Sequence, residues 1–124
     1  YFICAPTMMT KKIVFDYLEG YDENLMYEDF DFWVRSARKF KYCYTDEVLV
    51  SRRKLKGSMS DQQYRRKSLQ MESTFAVCQK IKGLNKNKKE NNALKRRIYL
   101  EMRQCIKYLN WKLLFKYLKL QWSI

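Results

Sequence analysis

Histidine is absent from the 124-residue chain. That excludes a Ser-His-Asp triad, a Cys-His pair and every imidazole-ligated zinc site, so carboxylates must carry any general acid–base chemistry. Glycine (3) and proline (1) are scarce, while 47% of residues are hydrophobic and 16% aromatic, which excludes a disordered, collagen-like or glycine-rich chain. The four cysteines, Cys4, Cys43, Cys78 and Cys105, lie 39, 35 and 27 residues apart with no C-x-x-C pair. They read as reduced, mostly buried side chains of a cytosolic protein. No uncharged run approaches the roughly 20 apolar residues of a spanning helix, and no charged-then-apolar leader opens the sequence. The opening run Tyr1-Phe2-Ile3-Cys4-Ala5 is apolar, strand-like and without Met, as though cut from the middle of a fold, so a fragment is expected.

Acid is scarce in only one half. Residues 1–60 hold 10 basic and 9 acidic side chains, whereas residues 61–124 hold 16 and 4, so the second half carries +12 of the net +13. A balanced module is followed by a cationic one, and a cationic module suits an anionic partner.

The pattern of elements differs between the halves as well. Phe2 to Met9 reads as a buried strand or its approach, broken by Pro6. Thr10-Lys11-Lys12 caps a short helix with Ile13, Val14, Tyr17 and Leu18, ended by Gly20. Leu25 to Lys39 has helical character, and Phe40 to Ser51 reads as strand from Tyr42, Tyr44, Val48 and Val50 at alternating positions. Ser60-Asp61 starts an amphipathic helix that reaches Gly83, and Asn85 to Asn92 is a Lys/Asn-rich connector. Leu94, Ile98, Met102, Cys105, Leu109 and Leu113 then mark a further apolar stripe, interrupted near Asn110.

The densest signal is Tyr27-Glu28-Asp29-Phe30-Asp31-Phe32-Trp33-Val34-Arg35. On a helix, Phe30, Trp33, Val34 and Ala37 fall in one stripe able to pack on a core, Glu28, Asp31 and Arg35 share the opposite side, and Asp29 sits at the border. Phe32 points away from the core stripe, so it either packs on another segment or lines a binding surface. Partial burial and neighbouring acids would raise the basicity of Asp29. The same acids also suit a helix N-terminus, and Asp31 can pair with Arg35 four residues on.

Residues Thr7 to Ser60 resemble the C-terminal half of the catalytic domain of family 2 glycosyltransferases. The resemblance runs in order through Met8-Met9-Thr10-Lys11-Lys12, then Phe15 with Gly20-Tyr21-Asp22-Glu23, then Glu28-Asp29-Phe30-Asp31-Phe32-Trp33-Val34-Arg35, and finally Thr45-Asp46-Glu47-Val48-Leu49-Val50 with Arg53 and Ser58-Met59-Ser60. It implies an α/β fragment, the acceptor-side half of a nucleotide-diphospho-sugar transferase (GT-A) domain over residues 1–60, with a basic helical extension over residues 61–124. It implies Asp29 as catalytic base, Glu28 and Asp31 orienting the acceptor or holding the helix, Trp33 in the site wall and Arg53 pairing with phosphate. Leu55 stands where many relatives have histidine, which leaves Arg53, Lys54 and Lys56 as the cations for a diphosphate.

The parent would transfer a sugar from a nucleotide-sugar donor to a saccharide or lipid-linked acceptor in surface polysaccharide synthesis. Its Mg²⁺ or Mn²⁺ would be held mostly outside this chain, which alone would be inactive. An uncovered apolar face would favour self-association. A cytoplasmic location is expected, with peripheral contact at the inner face of the membrane through Arg96 to Trp122, where cations interleave with aromatic rings. The alternative is a basic helical module binding an anionic membrane surface or nucleic acid. The second partner lacks a helix-turn-helix pattern, an RNP-like motif or zinc spacing in its support.

Overall fold

The computed structural model describes residues 4–51, 53, 57, 64–65 and 68–124. The chain divides into two compact units, Tyr1–Ser58 and Met59–Ile124. The described elements are a 3-10 turn at Ala5–Thr7 and five helices, α1 (Lys12–Leu18), α2 (Glu28–Ala37), α3 (Leu69–Leu84), α4 (Lys88–Lys107) and α5 (Trp111–Trp122).

The expected α/β fold is not found: the described residues contain helices and no strand. Pro6 opens the 3-10 turn where a strand was expected, and Met9 is 98% exposed. Residues 1–3 lie outside the described residues. The alternating segment Phe40 to Ser51 has no strand beside it among the described residues, and Tyr44 and Val48 stand in solvent. Alternation provides a strand with one apolar face, but cross-strand pairing and a surface to bury that face are what stabilise it, and neither is present among the described residues.

In the first unit α1 packs on α2. Helix α1 ends with Glu19 (φ 58°) and Gly20 (φ 75°) both left-handed, and the Gly20 N–H reaches back to the Phe15 carbonyl at 3.0 Å. This reversal closes the last turn and sends the chain toward α2.

The second unit is a helical cluster. Met71 and Cys78 of α3, Leu94, Ile98 and Cys105 of α4, and Leu113, Leu114, Tyr117 and Leu120 of α5 form one buried core. Phe75 meets the Tyr117 ring edge-on at 5.0 Å, and Lys116 reaches Glu72 at 2.9 Å. Helix α3 begins after Ser68 and runs through Gly83 to Leu84, so Gly83 is an interior helical residue and not a left-handed stop. The start expected at Ser60-Asp61 lies outside the described residues.

The connector expected at Asn85 to Asn92 is in fact a helix start. Asn87 caps α4 by accepting the Glu90 N–H at 2.9 Å, and Glu90 returns to accept the Lys86 N–H at 2.8 Å. This reciprocal arrangement is close to a capping box and satisfies donors that an isolated helix end leaves open. The break between α4 and α5 falls at Tyr108–Asn110. There Leu109 is left-handed (φ 53°), and the Asn110 N–H bonds the Cys105 carbonyl at 2.8 Å while that of Leu109 bonds Ile106. The pattern is a Schellman closure with leucine where glycine is usual.

Glu101 is a carboxylate inside this core, 1% exposed, with Oε1 taking Arg97 at 2.7 Å and the Tyr64 hydroxyl at 3.4 Å. Its Oε2 and the Tyr117 hydroxyl have no hydrogen-bond partner. Burial raises the Glu101 pKa above its ordinary 4.5, against the opposing effect of Arg97. Burial likewise pushes the Cys78 and Cys105 thiols up to about 12, so both are inert apolar fillers.

Below the ordinary carboxyl range Glu101 is protonated folded or unfolded. As pH rises the unfolded chain releases that proton first, so the folded state loses stability from about pH 4.5 up through the raised folded value. Glu101→Gln removes this loss. Its advantage in urea midpoint over the native chain is expected to widen as pH goes from about 4 to about 7.

Candidate functional site

Helix α2 carries the acidic signature, and the structure turns it the opposite way from the expected apolar stripe. Its buried residues are Asp31, Phe32 and Ser36, while Trp33 and Val34 are half-buried and Ala37 is exposed. The reason is chemical pairing with α1 and its exit turn. Phe32 stacks on Phe15 at 4.6 Å and lies 5.0 Å from the Tyr21 ring, which itself meets Phe15 edge-on at 5.4 Å. Three aromatic rings thus form the contact between the helices, and Phe32 is packed on another segment.

Arg35 fixes the same contact in polar terms. Its Nε donates to Asp31 Oδ2 at 2.7 Å, one terminal nitrogen donates to the Leu18 carbonyl at 2.7 Å, and the other to the Gly20 carbonyl at 2.8 Å. The guanidinium also lies 5.9 Å from the centre of the Phe32 ring. Carbonyls at a helix C-terminus have no intrahelical donor and attract cations, so one rigid fork satisfies the end of α1 and the buried Asp31 together. Asp31 therefore holds the helix, the structural one of the two roles the sequence allowed it.

Asp29 is different. It lies in the first turn of α2, half-buried, with Oδ1 accepting the Phe30 N–H at 2.7 Å. Burial raises its pKa above the ordinary 3.8 and nearby Glu28 adds to the rise, while the Phe30 N–H opposes it. Tyr21 belongs to the same neighbourhood: its phenol is raised first by burial and then by the charges of Asp29 and Glu28. The site so formed is a carboxylate of increased basicity at a helix start, with a second acid and a phenol beside it. Such a group can accept a proton from a hydroxyl placed within reach.

Trp33 presents its carbonyl to the Ser36 hydroxyl at 3.1 Å and the Tyr42 hydroxyl at 3.3 Å, and these two hydroxyls meet at 2.6 Å. The residue thus anchors the chain leaving α2. Arg53 is exposed, and Lys54 and Lys56, its expected companions, lie outside the described residues. Tyr21 was not singled out in the sequence, although it stands within the glycine-aromatic-acid-acid turn. Its part became visible only when α1 folded back on α2.

The donor set does not fit a divalent metal. Asp29 and Asp31 form the only Asp-x-Asp in the sequence, yet Asp31 is buried on Arg35 while Asp29 accepts the N–H of Phe30 within its own helix. Among the described residues no three histidine, cysteine or acidic side chains converge on one point. No family model, curated protein or solved structure matches the chain. Among the described residues no helix is long and apolar enough to cross a membrane.

The Arg35 pairing can be tested directly. Arg35→Met removes the guanidinium from a buried carboxylate and two carbonyls, and is expected to destabilise the first unit by about 3 kcal/mol in urea unfolding. Lys12→Met, which breaks the exposed 2.8 Å pair with Asp16, is expected to change stability by less than about 0.5 kcal/mol.

Proposed function

We propose that the α1–α2 unit is the acceptor-side site of an inverting glycosyltransferase and that Asp29 is its base. The supporting observation is the division of labour between two carboxylates two residues apart. Asp31 is consumed by Arg35, while Asp29 is half-buried, raised in pKa and accompanied by Glu28 and Tyr21. The order of motifs from Thr7 to Ser60 supports the same reading. The proposal rests on this site and uses no sheet.

In the proposed reaction an acceptor hydroxyl oxygen attacks the anomeric carbon of a nucleotide-sugar. Its proton passes to Asp29 as the new carbon–oxygen bond forms on the face opposite the leaving group. The bond to the nucleoside diphosphate breaks with its electron pair, and the anomeric configuration inverts. A base of raised pKa suits a weakly acidic hydroxyl better than an ordinary aspartate does, and the half-buried position limits competition from water. Glu28 and Tyr21 would hydrogen-bond the acceptor sugar and orient its hydroxyl. The divalent ion that neutralises the donor diphosphate belongs, in this proposal, to residues outside the chain. The acceptor is a saccharide or lipid-linked saccharide.

The test uses the full gene product with a panel of nucleotide-sugars and reads release of the nucleoside diphosphate. Asp29→Asn is expected to lower kcat by about 10²- to 10⁴-fold with the helical circular dichroism unchanged. Glu28→Gln is expected to act chiefly on acceptor KM. The acid limb of the native pH profile is expected to have its midpoint above 3.8, because the base must be ionised and its pKa is raised. Full activity in Asp29→Asn rules the proposal out.

A further inference from the structure

Helix α5 has two apolar faces, and only one is used by the core. Leu113, Leu114, Tyr117 and Leu120 point inward and are buried. On the opposite side Trp111 is 52% exposed, Phe115 63% and Trp122 90%. Offsets of 4 and 11 residues place these three rings on a single line along the helix, about 16 Å from end to end. Lys112 and Lys119 border that line along one edge and are themselves exposed. Lys116, farther round on the same side, is already engaged with Glu72. The second unit therefore leaves three large rings in solvent, at a cost the core does nothing to offset.

Charge decides what covers them. After Glu101 the sequence has five cations and no carboxylate, and Glu101 itself is buried. A second copy of this face would set lysines against lysines in a two-fold interface, where each patch meets itself. An anionic surface would meet no repulsion. A line of aromatic rings bordered by lysines on a helix that lies flat matches the boundary between headgroups and acyl chains. There the rings enter the apolar edge and the ammonium groups stay with the phosphates. Nucleic acid would also attract the lysines, but its bases stack on rings lining a groove, whereas these rings project from a convex helix.

We propose that the outer ridge of α5, Trp111, Phe115 and Trp122 with Lys112 and Lys119, is a docking surface for a bilayer containing anionic lipid. The helix lies in the plane of the interface and does not cross it. This surface belongs to the second unit and is independent of the Asp29 reading, so either can fail alone.

The test is cosedimentation of the full chain with vesicles at about 0.15 M salt. The vesicles are of phosphatidylcholine alone or with about one quarter phosphatidylglycerol. Binding to the anionic vesicles at least about tenfold tighter than to the neutral ones is expected, with a blue shift of tryptophan emission. Trp111→Ala with Trp122→Ala, and separately Lys112→Glu with Lys119→Glu, are each expected to weaken that binding by about tenfold or more. Both pairs are exposed, so circular dichroism is expected to stay native. Equal binding to neutral vesicles, or native binding by either double variant, overturns the proposal. So does an oligonucleotide complex, or a concentration-dependent dimer, that both double variants abolish while no vesicle binds.

Discussion

The guanidinium of Arg35 satisfies three oxygens from three places: a buried carboxylate on its own helix, the last carbonyl of α1 and the carbonyl of the turn that follows. The pairing of α1 with α2 and the separate placement of Asp29 depend on this fork. A lysine could neutralise Asp31, but it has no planar set of donors aimed in several fixed directions. Because Asp31 is committed, the acidic turn at Glu28–Asp31 is not a diffuse patch of negative charge. One of its members builds the helix pair, and another is left half-buried with its basicity raised. The aromatic contact of Phe15, Tyr21 and Phe32 excludes water from the pair, which strengthens the hydrogen bonds beside it.

The second unit solves a different problem. Its core is largely apolar, but Glu101 is buried within it against half-buried Arg97 and Tyr64, and Glu101 Oε2 and the Tyr117 hydroxyl have no hydrogen-bond partner. A core of this kind is stable because many buried side chains outweigh a few costly ones, and it is sensitive to pH because one of the costly ones titrates. The same unit leaves an aromatic ridge outside. Core and ridge use alternate sides of α5, so the helix serves packing with one face and has the other free for an external surface.

Much of the helical organisation was legible in the residues. The burial of Leu94, Ile98, Cys105 and Leu113 and the interruption near Asn110 follow from spacing, because burying one face of a helix requires side chains at every third or fourth position, whereas Leu109 of the same stripe falls in the break and is 56% exposed. The cap formed by Asn87 and Glu90 was legible too, as an acceptor followed three residues later by an acid, yet the run of lysines and asparagines around it reads as a linker. The strand expected at Phe40 to Ser51 is not there, because alternation alone does not make a strand: it needs a paired neighbour, and alternation says nothing of whether one exists. The orientation of α2 misled in an instructive way. Hydrophobicity alone turns Phe30, Trp33 and Val34 inward, but a charged pair with three hydrogen-bond acceptors to satisfy, joined to one stacked phenylalanine, outweighed that stripe.

By itself the sequence determined what chemistry is possible and where charge resides. Without histidine any acid–base work would fall to carboxylates, and with acid nearly absent after residue 61 the second half is cationic wherever its helices point. Tertiary structure alone decided which carboxylate pairs with Arg35. Asp29 and Asp31 are the same residue type two positions apart, and only the arrival of the α1 exit turn, with its unsatisfied carbonyls, draws Arg35 and Asp31 into one buried cluster and leaves Asp29 outside it. Tertiary structure likewise decided which rings of α5 are core and which are surface. An apolar residue carries no mark of its destination until a packing partner covers one side of its helix.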